Sequence, residues 1–238
     1  MQKIVENGVL AIPLYHGTSS LFLDSICKHG LGAKNPIEDW KILELARDIL
    51  PLCEAHLQDF ETYQVRSLSF RNMVEQKITA GGFNFQHGDT YLSPSRQTAV
   101  NYAAHNRCGS ELITHTIDLL KELGRRNIPD FKTKLFKKHP EGFRLLDIDP
   151  APILIEANCI PTASLKSEHG DDGTKNLERL QEYAQMEPEV GDALKQQLNF
   201  RLSSPISSKD LKIWFVNVIQ QKAWGFPDYS LYRLQPEG

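Results

Sequence analysis

The sequence has few of the features that mark membrane, secreted or metal-binding proteins. Its four cysteines (Cys27, Cys53, Cys108 and Cys159) are scattered over 238 residues, with no Cys-x-x-Cys pair and no histidines at metal-ligand spacing. This pattern is typical of reduced, buried thiols and predicts neither disulfides nor a metal site. No segment approaches the roughly 18 apolar residues of a membrane span, and the first residues lack the apolar core of a signal peptide. We therefore predict a soluble protein, either cytoplasmic or delivered into a target cell.

The sequence also lacks an excess of positive charge. A formal net charge of −3 argues against a generally basic, nucleic-acid-binding surface. One basic stretch, residues 125–138, is typical of a solvated face, and its alternative role is contact with the phosphates of a nucleic-acid acceptor. Hydrophobic residues make up 40% of the chain, which is enough to bury a core.

The chain contains no internal repeat and no low-complexity linker, so we predict one α+β domain over residues 1–238. Residues 36–80 are predicted to be a helical insertion, because apolar residues recur at helical spacing within residues 37–57. Pro51 is expected to end or kink that helix, and a second helix is expected over residues 70–78. Strands are predicted at residues 8–15, 83–93 (strand, turn, strand), 152–160, 198–202 and 213–219. Residues 112–123 fit a strand or a helix, and residues 131–149 are predicted to be a connection.

Two short motifs carry the chemistry. In the first, an apolar strand is expected to end in a turn at His16-Gly17-Thr18, with a helix capped by Ser19 or Ser20 and Gly30 just past its end. In the second, Tyr91 lies in Gly-Asp-Thr-Tyr-Leu-Ser and is followed by Tyr102 on a predicted helix, eleven positions later. Taken singly, each motif is more often structural: a turn with a hydrogen-bonded histidine, or two core tyrosines.

Together the two motifs resemble those of the diphtheria-toxin-like ADP-ribosyltransferases, which include the poly(ADP-ribose) polymerases. In that superfamily the first strand ends in His-Gly-Ser/Thr, and a strand tyrosine precedes a helical tyrosine by eleven positions. The resemblance covers residues 14–31 and 87–104. It implies a split antiparallel β-sheet core and NAD as the co-substrate. Because both motifs must meet one nicotinamide, we expect the strands that carry His16 and Tyr91 to be close neighbours.

The resemblance also implies the roles of individual residues. The implied NAD-binding residues are His16, Gly17, Thr18, Tyr91, Ser93 and Tyr102. The two tyrosines would clamp the nicotinamide by stacking and cation–π attraction, worth ~0.5–2 kcal/mol for each favourable contact. The backbone of Gly17 would exchange hydrogen bonds with the carboxamide, and His16 would bind a ribose hydroxyl of the adenosine half. The Thr18 and Ser93 hydroxyls would lie near the nicotinamide ribose.

A third catalytic residue is less directly indicated. The superfamily places a glutamate at the start of a late strand, where it bonds the nicotinamide ribose and orients the acceptor. Here the late strand carries Asn199, with Arg201 on the same strand face. Asn199 can hydrogen-bond a hydroxyl but cannot act as a base. The alternative acid is Glu156 on an earlier predicted strand, where an outward-facing structural role is the competing interpretation.

These residues predict an NAD-dependent mono-ADP-ribosyltransferase that modifies a macromolecule, either protein or nucleic acid, as a toxin, effector or defence protein. Two alternatives stay open. One is an inactive relative that binds NAD, a nucleotide or a partner protein. The other is the related RNA 2′-phosphotransferase, although the arginine and paired-histidine pattern of that group is not found in the sequence. No membrane partner is expected.

Overall fold

The computed structural model describes residues 3–77, 84–222 and 225–234 and has a mixed α+β fold with antiparallel sheets, which confirms the predicted class. The described residues form nine strands: β1 Val5–Glu6, β2 Val9–Leu10, β3 Leu14–Ser19, β4 Tyr91–Leu92, β5 Pro152–Ala157, β6 Leu165–Ser167, β7 Phe200–Leu202, β8 Leu211–Gln220 and β9 Asp228–Leu234. They also form ten α-helices: α1 Leu23–His29, α2 Pro36–Asp39, α3 Ile42–His56, α4 Glu61–Val74, α5 Arg96–His105, α6 Glu111–Leu123, α7 Phe131–Lys138, α8 Pro140–Arg144, α9 Thr174–Tyr183 and α10 Pro188–Lys195. None of the helices in the described ranges is both long and apolar enough to cross a membrane.

Seven of the strands form two antiparallel sheets that meet at one residue pair. The first sheet has the order β3-β5-β8-β9 and the second has the order β4-β7-β6. Tyr15 on β3 and Ser93, just after β4, exchange both backbone hydrogen bonds, each 2.8 Å long. The two sheets are therefore joined edge to edge through Tyr15 and Ser93, while β1 and β2 form a separate hairpin.

The central strand β5 is buried on both faces because each face has its own apolar cover. Ile153 and Ile155 belong to a core cluster that also contains Leu14 of β3. Leu154, which points to the other face, packs with Val100 of α5. Strands covered on both faces lack the alternation of apolar and polar residues, and the apolar run at residues 152–155 has this composition. The predicted strand at 152–160 is confirmed over Pro152–Ala157.

Helix α5 rests directly on strand β3 at a glycine. A Cβ atom at Gly17 would lie 1.8 Å from the backbone oxygen of Ala99, so no other residue fits beneath the helix. Ser95 caps the start of α5, and its hydroxyl accepts a hydrogen bond of 3.2 Å from the N–H of Thr98. This packing fixes α5 above the strand that carries the first motif.

The described fold divides into two compact units. One consists of residues 1–34, 89–109 and 150–238 and contains both sheets; we call it the sheet unit. The other consists of residues 35–88 and 110–149 and contains α2–α4 and α6–α8; we call it the helical unit. The predicted insertion at 36–80 falls in the first segment of the helical unit. Its last residues, 78–80, lie outside the described residues.

Several local predictions were wrong. Residues 16–18 do not form a turn, because β3 continues through Ser19 and pairs with β5 along its whole length. Pro51 does not end α3, which continues to His56 with apolar side chains buried along one face; the alternative of a kink at Pro51 stays a prediction. Of the predicted strands within 83–93, β4 is the only one among the described residues, and Phe83 lies outside them. Residues 131–149 contain α7 and α8 rather than a simple connection.

Candidate active site

His16 joins the two sequence motifs. Its Nδ1 atom lies 2.8 Å from the backbone oxygen of Tyr91, which is 75 positions away in the chain. The strands that carry the two motifs are therefore neighbours, as the sequence predicts. Burial lowers the pKa of His16, although the hydrogen bond to Tyr91 acts in the opposite direction. In the neutral ring Nδ1 carries the proton, because a carbonyl oxygen only accepts, and Nε2 is then a hydrogen-bond acceptor.

The backbone of Gly17 faces the edge at which the two sheets separate. In an antiparallel ladder, residues two apart direct their N–H and C=O groups to the same side. Tyr15 bonds Ser93 through both groups, so Gly17 directs its own groups toward the same neighbouring strand. Among the described residues, however, the pairing of β3 with β4 is limited to the Tyr15–Ser93 bridge. One donor and one acceptor of Gly17 thus lie along the strand edge that faces Tyr91.

The two tyrosines lie on the elements that flank Gly17. Tyr91 is partly buried on β4. Tyr102 is 39% exposed on α5, beside Ala103, whose backbone nitrogen would be 3.0 Å from a Cβ atom at Gly17. One tyrosine therefore lies on the strand beside Gly17, and the other lies on the helix that packs above it.

Thr18 and Ser93 are both buried in the sheet unit. The Ser93 hydroxyl accepts a hydrogen bond of 3.1 Å from the N–H of Ser95 and lies 3.5 Å from the backbone oxygen of Leu198, to which it donates. This hydroxyl is thus engaged by the polypeptide itself. Thr18 lies on the same face of β3 as His16, by strand alternation. The contacts of Thr18 and Ser93 with a ribose stay predictions.

Asn199 lies directly before β7, next to the point at which the sheets meet. Leu92 pairs with Phe200 in the antiparallel ladder of β4 and β7. Ser93, which follows Leu92, therefore lies beside Asn199, which precedes Phe200. The side chain of Asn199 is partly buried. Its backbone oxygen accepts a hydrogen bond of 3.2 Å from Nδ2 of Asn176 on α9.

Glu156 is buried and ion-paired rather than outward-facing. It lies on β5, where it pairs with Tyr15 on one side and Lys212 on the other. Its carboxylate is 2.7 Å from Nζ of Lys212 and 3.7 Å from the guanidinium of Arg96. The Arg96 guanidinium also lies over the Tyr15 ring, 5.2 Å from its centroid. This carboxylate is engaged by two cations and helps to hold the start of α5 on the sheet.

The two candidates for the third catalytic residue, Asn199 and Glu156, lie at different distances from Ser93. Asn199 is one strand away from Ser93, which corresponds to about 5 Å at normal strand spacing. Glu156 is two strands away, on the far side of Tyr15, which corresponds to about 10 Å. If the nicotinamide ribose binds near Ser93, Asn199 is the better placed of the two.

Arg201 lies directly opposite Tyr91 in the ladder between β4 and β7. Its guanidinium forms an ion pair of 3.1 Å with Asp89. Its alternation with the buried Phe200 is visible in the sequence, but its pairing with Tyr91 requires the fold. The contacts of Asn176 and Arg96 with the site were also missed, since neither residue belongs to a motif.

Two other predictions concern metal ligands and the basic stretch at residues 125–138. Within the described ranges, no group of three or more His, Cys, Asp or Glu side chains is arranged to hold a metal ion. In the basic stretch, Arg125 and Arg126 pair with Glu122, and Lys134 pairs with Asp130 on a highly exposed surface. Exposed pairs of this kind are typical of a solvated face.

Comparisons of the chain with protein-family models, with curated proteins and with solved structures gave no match. Any function must therefore be argued from the residues and their geometry. The relevant features are the neighbouring motifs at His16 and Tyr91, the strand edge at Gly17, which is unpaired among the described residues, and the asparagine beside Ser93.

Proposed function

We propose that the chain is an NAD-dependent mono-ADP-ribosyltransferase that modifies a protein or nucleic-acid target. The observation that carries the proposal is the hydrogen bond between His16 Nδ1 and the Tyr91 backbone oxygen, 2.8 Å long. It brings together two motifs that resemble one superfamily and that must act on the same nicotinamide.

The geometry around Gly17 suits the nicotinamide group of NAD. A carboxamide carries one acceptor oxygen and an N–H donor, and the Gly17 backbone offers the complementary donor and acceptor on one strand edge. Tyr91 and Tyr102 supply aromatic faces for the flat, positively charged ring. Hydrogen bonds at the edge and stacking on the faces together would fix the leaving group in one orientation.

The ribose contacts divide between two residues. The neutral His16 ring, with Nδ1 bonded to Tyr91, offers Nε2 as an acceptor for a hydroxyl of the adenosine ribose. Asn199, one strand from Ser93, supplies an amide for the nicotinamide ribose. Neither contact requires a charged side chain.

In this reaction the bond between the anomeric carbon and the nicotinamide nitrogen breaks, and the electron pair leaves with neutral nicotinamide. The acceptor then bonds the anomeric carbon and releases its proton to solvent. The transition state resembles an oxocarbenium ion, so orientation and polar contacts contribute more than a protein nucleophile. Because Asn199 cannot take up a proton, we expect transfer of a single unit rather than polymer growth. Such a transferase suits a toxin, effector or defence protein.

Incubation with labelled NAD and a cell lysate tests the proposal. Label should pass to a macromolecule, and separate digestion with protease and nuclease should identify the class of acceptor. The Tyr91→Ala variant serves as the matched control and should transfer no label. If the unaltered protein consumed no NAD with any lysate, the proposal that it is an ADP-ribosyltransferase would be wrong.

A second candidate function is NAD or nucleotide binding without turnover. Neither candidate for the third catalytic residue offers an unpaired carboxylate, which favours binding without turnover. Asn199 has no charge, and the Glu156 carboxylate is ion-paired with Lys212 and Arg96. Calorimetric binding of NAD with no release of nicotinamide would support this function over the transferase.

A further inference from the structure

Two successive backbone carbonyls are held by side chains just before β7. The Leu198 oxygen is 3.5 Å from the hydroxyl of Ser93, and the Asn199 oxygen is 3.2 Å from Nδ2 of Asn176. The ladder pairing of β7 begins at Phe200. The orientation of the Asn199 peptide thus depends on side chains from two other elements as well as on the sheet.

Asn176 is itself firmly placed. It lies in the first turn of α9, where Thr174 donates hydrogen bonds to the Asp172 carboxylate from both its N–H and its hydroxyl. The preceding Gly173 packs so closely against β6 that a Cβ atom there would be 2.5 Å from the Leu165 backbone oxygen. The start of α9 is thereby fixed to β6, and the amide of Asn176 is presented to the start of β7.

We propose that Asn176 is a positioning residue that orients Asn199 toward the nicotinamide ribose, a role that rests on the function proposed above. A hydrogen bond to the Asn199 carbonyl fixes the peptide plane that follows its Cα atom. Fixing that plane restricts the backbone of Asn199, and therefore the direction of its side chain. Small errors in the placement of such a group cost about 10²-fold in rate.

Gln181 supplies a matched control on the same helix. Its side-chain oxygen accepts a hydrogen bond of 3.0 Å from the N–H of Ile4, so it also ties α9 to a neighbouring segment through a side-chain-to-backbone bond. Both Asn176 and Gln181 are partly buried. The bond of Gln181 goes to Ile4 and that of Asn176 goes to Asn199, and a purely structural effect of losing such a tie should be similar for the two residues.

A double-mutant cycle tests the role. Asn176→Ala should lower the turnover of NAD about 10- to 100-fold while NAD affinity changes little, whereas Gln181→Ala should keep near-normal turnover. In an Asn199→Ala background, Asn176→Ala should cause no further loss, because its effect passes through the missing side chain. Backbone hydrogen exchange of residues 198–200 should accelerate in Asn176→Ala and not in Gln181→Ala.

Equal losses in Asn176→Ala and Gln181→Ala, or losses that multiply in the Asn176→Ala/Asn199→Ala double variant, would overturn the positioning role. Unaltered protein that neither binds nor consumes NAD would instead overturn the proposed function, and with it the effect of Asn176 on turnover. Hydrogen exchange separates the two failures, because it reports whether Asn176 holds the Asn199 backbone without any need for turnover.

Discussion

Three histidines of the helical unit and the candidate polar residues of the sheet unit have different surroundings. In the helical unit, His115 and His139 are buried, and His87 is partly buried. Each has a buried ring nitrogen without a hydrogen-bond partner among the described residues. In the sheet unit, the candidate polar residues lie at a strand edge and are bonded to the backbone: His16 to Tyr91, and Ser93 to Leu198.

A pKa that is shifted mainly by burial does not by itself mark a functional residue. Burial lowers the pKa of His87 and of His115 to about 4, and strongly shifted groups are often taken as signs of an active site. His115 lies outside both regions of resemblance and His87 is the first residue of the second, and the main cause of each shift is the loss of contact with water. The comparison therefore predicts that changes in the sheet unit remove activity, whereas changes in the helical unit alter stability.

The largest expected effects come from two neighbours on β4. Leu92→Ala empties a fully buried position and should lower the free energy of unfolding by about 2–5 kcal/mol. Tyr91→Ala, on the opposite face, should abolish NAD turnover with little change in melting temperature. Thermal unfolding and nicotinamide release measure the two outcomes. A large stability loss in Tyr91→Ala with normal activity of the folded fraction would make Tyr91 a core residue.

The next effect concerns the third catalytic residue. Asn199→Ala should reduce transfer about 10²- to 10³-fold, the usual cost of one transition-state hydrogen bond. Glu156→Gln should change transfer little, since its carboxylate is paired with Lys212. Transfer of labelled ADP-ribose measures both. The opposite result would assign the acid to Glu156, and full activity in both variants would exclude both residues.

A smaller effect is expected from acid in the helical unit. The pKa of His115 in the folded protein is about 4, below the ordinary value near 6.5, so the unfolded chain takes up the proton first. Stability should therefore fall as pH decreases from about 6.5 and level off below about pH 4, by at most about 3 kcal/mol for this residue. Denaturant unfolding across this range should show the loss reduced in His115→Gln. The exposed His56 provides the control, and an equal reduction in His56→Gln would rule out the assignment.

The smallest effect should come from the ion pair of Asp89 with Arg201. Both side chains are partly exposed, and such pairs contribute about 0–1 kcal/mol. Asp89→Asn should therefore change the unfolding free energy by no more than that, as measured by chemical denaturation. A loss above 2 kcal/mol would mean that the pair holds β4 against β7.

The sequence predicted those parts of the fold that depend on local pattern. The strand at Pro152–Ala157 lies within the predicted range 152–160, and the two motifs are neighbours, as their resemblance to the motifs of one superfamily implies. Pro51 shows where local rules fail: the buried face of α3 outweighs the lost hydrogen bond.

Much of the candidate site depends on contacts between distant residues. Asn176 reaches Asn199 across 23 positions, and Arg96 reaches Glu156 from another element. Pairing across a sheet is set by tertiary packing, so no window of sequence contains that information. The residue types were visible, but their partners were not.

The contact of Gly17 with α5 limits how mutations at this position can be interpreted. Any side chain at residue 17 would collide with the Ala99 backbone oxygen. A bound carboxamide and the helix would thus depend on the same glycine for different reasons, one through its backbone edge and the other through its missing side chain. Loss of activity in Gly17→Ala would consequently carry no information about NAD recognition. Informative evidence must come from the ligand, for example from NAD analogues whose carboxamide lacks a donor or an acceptor.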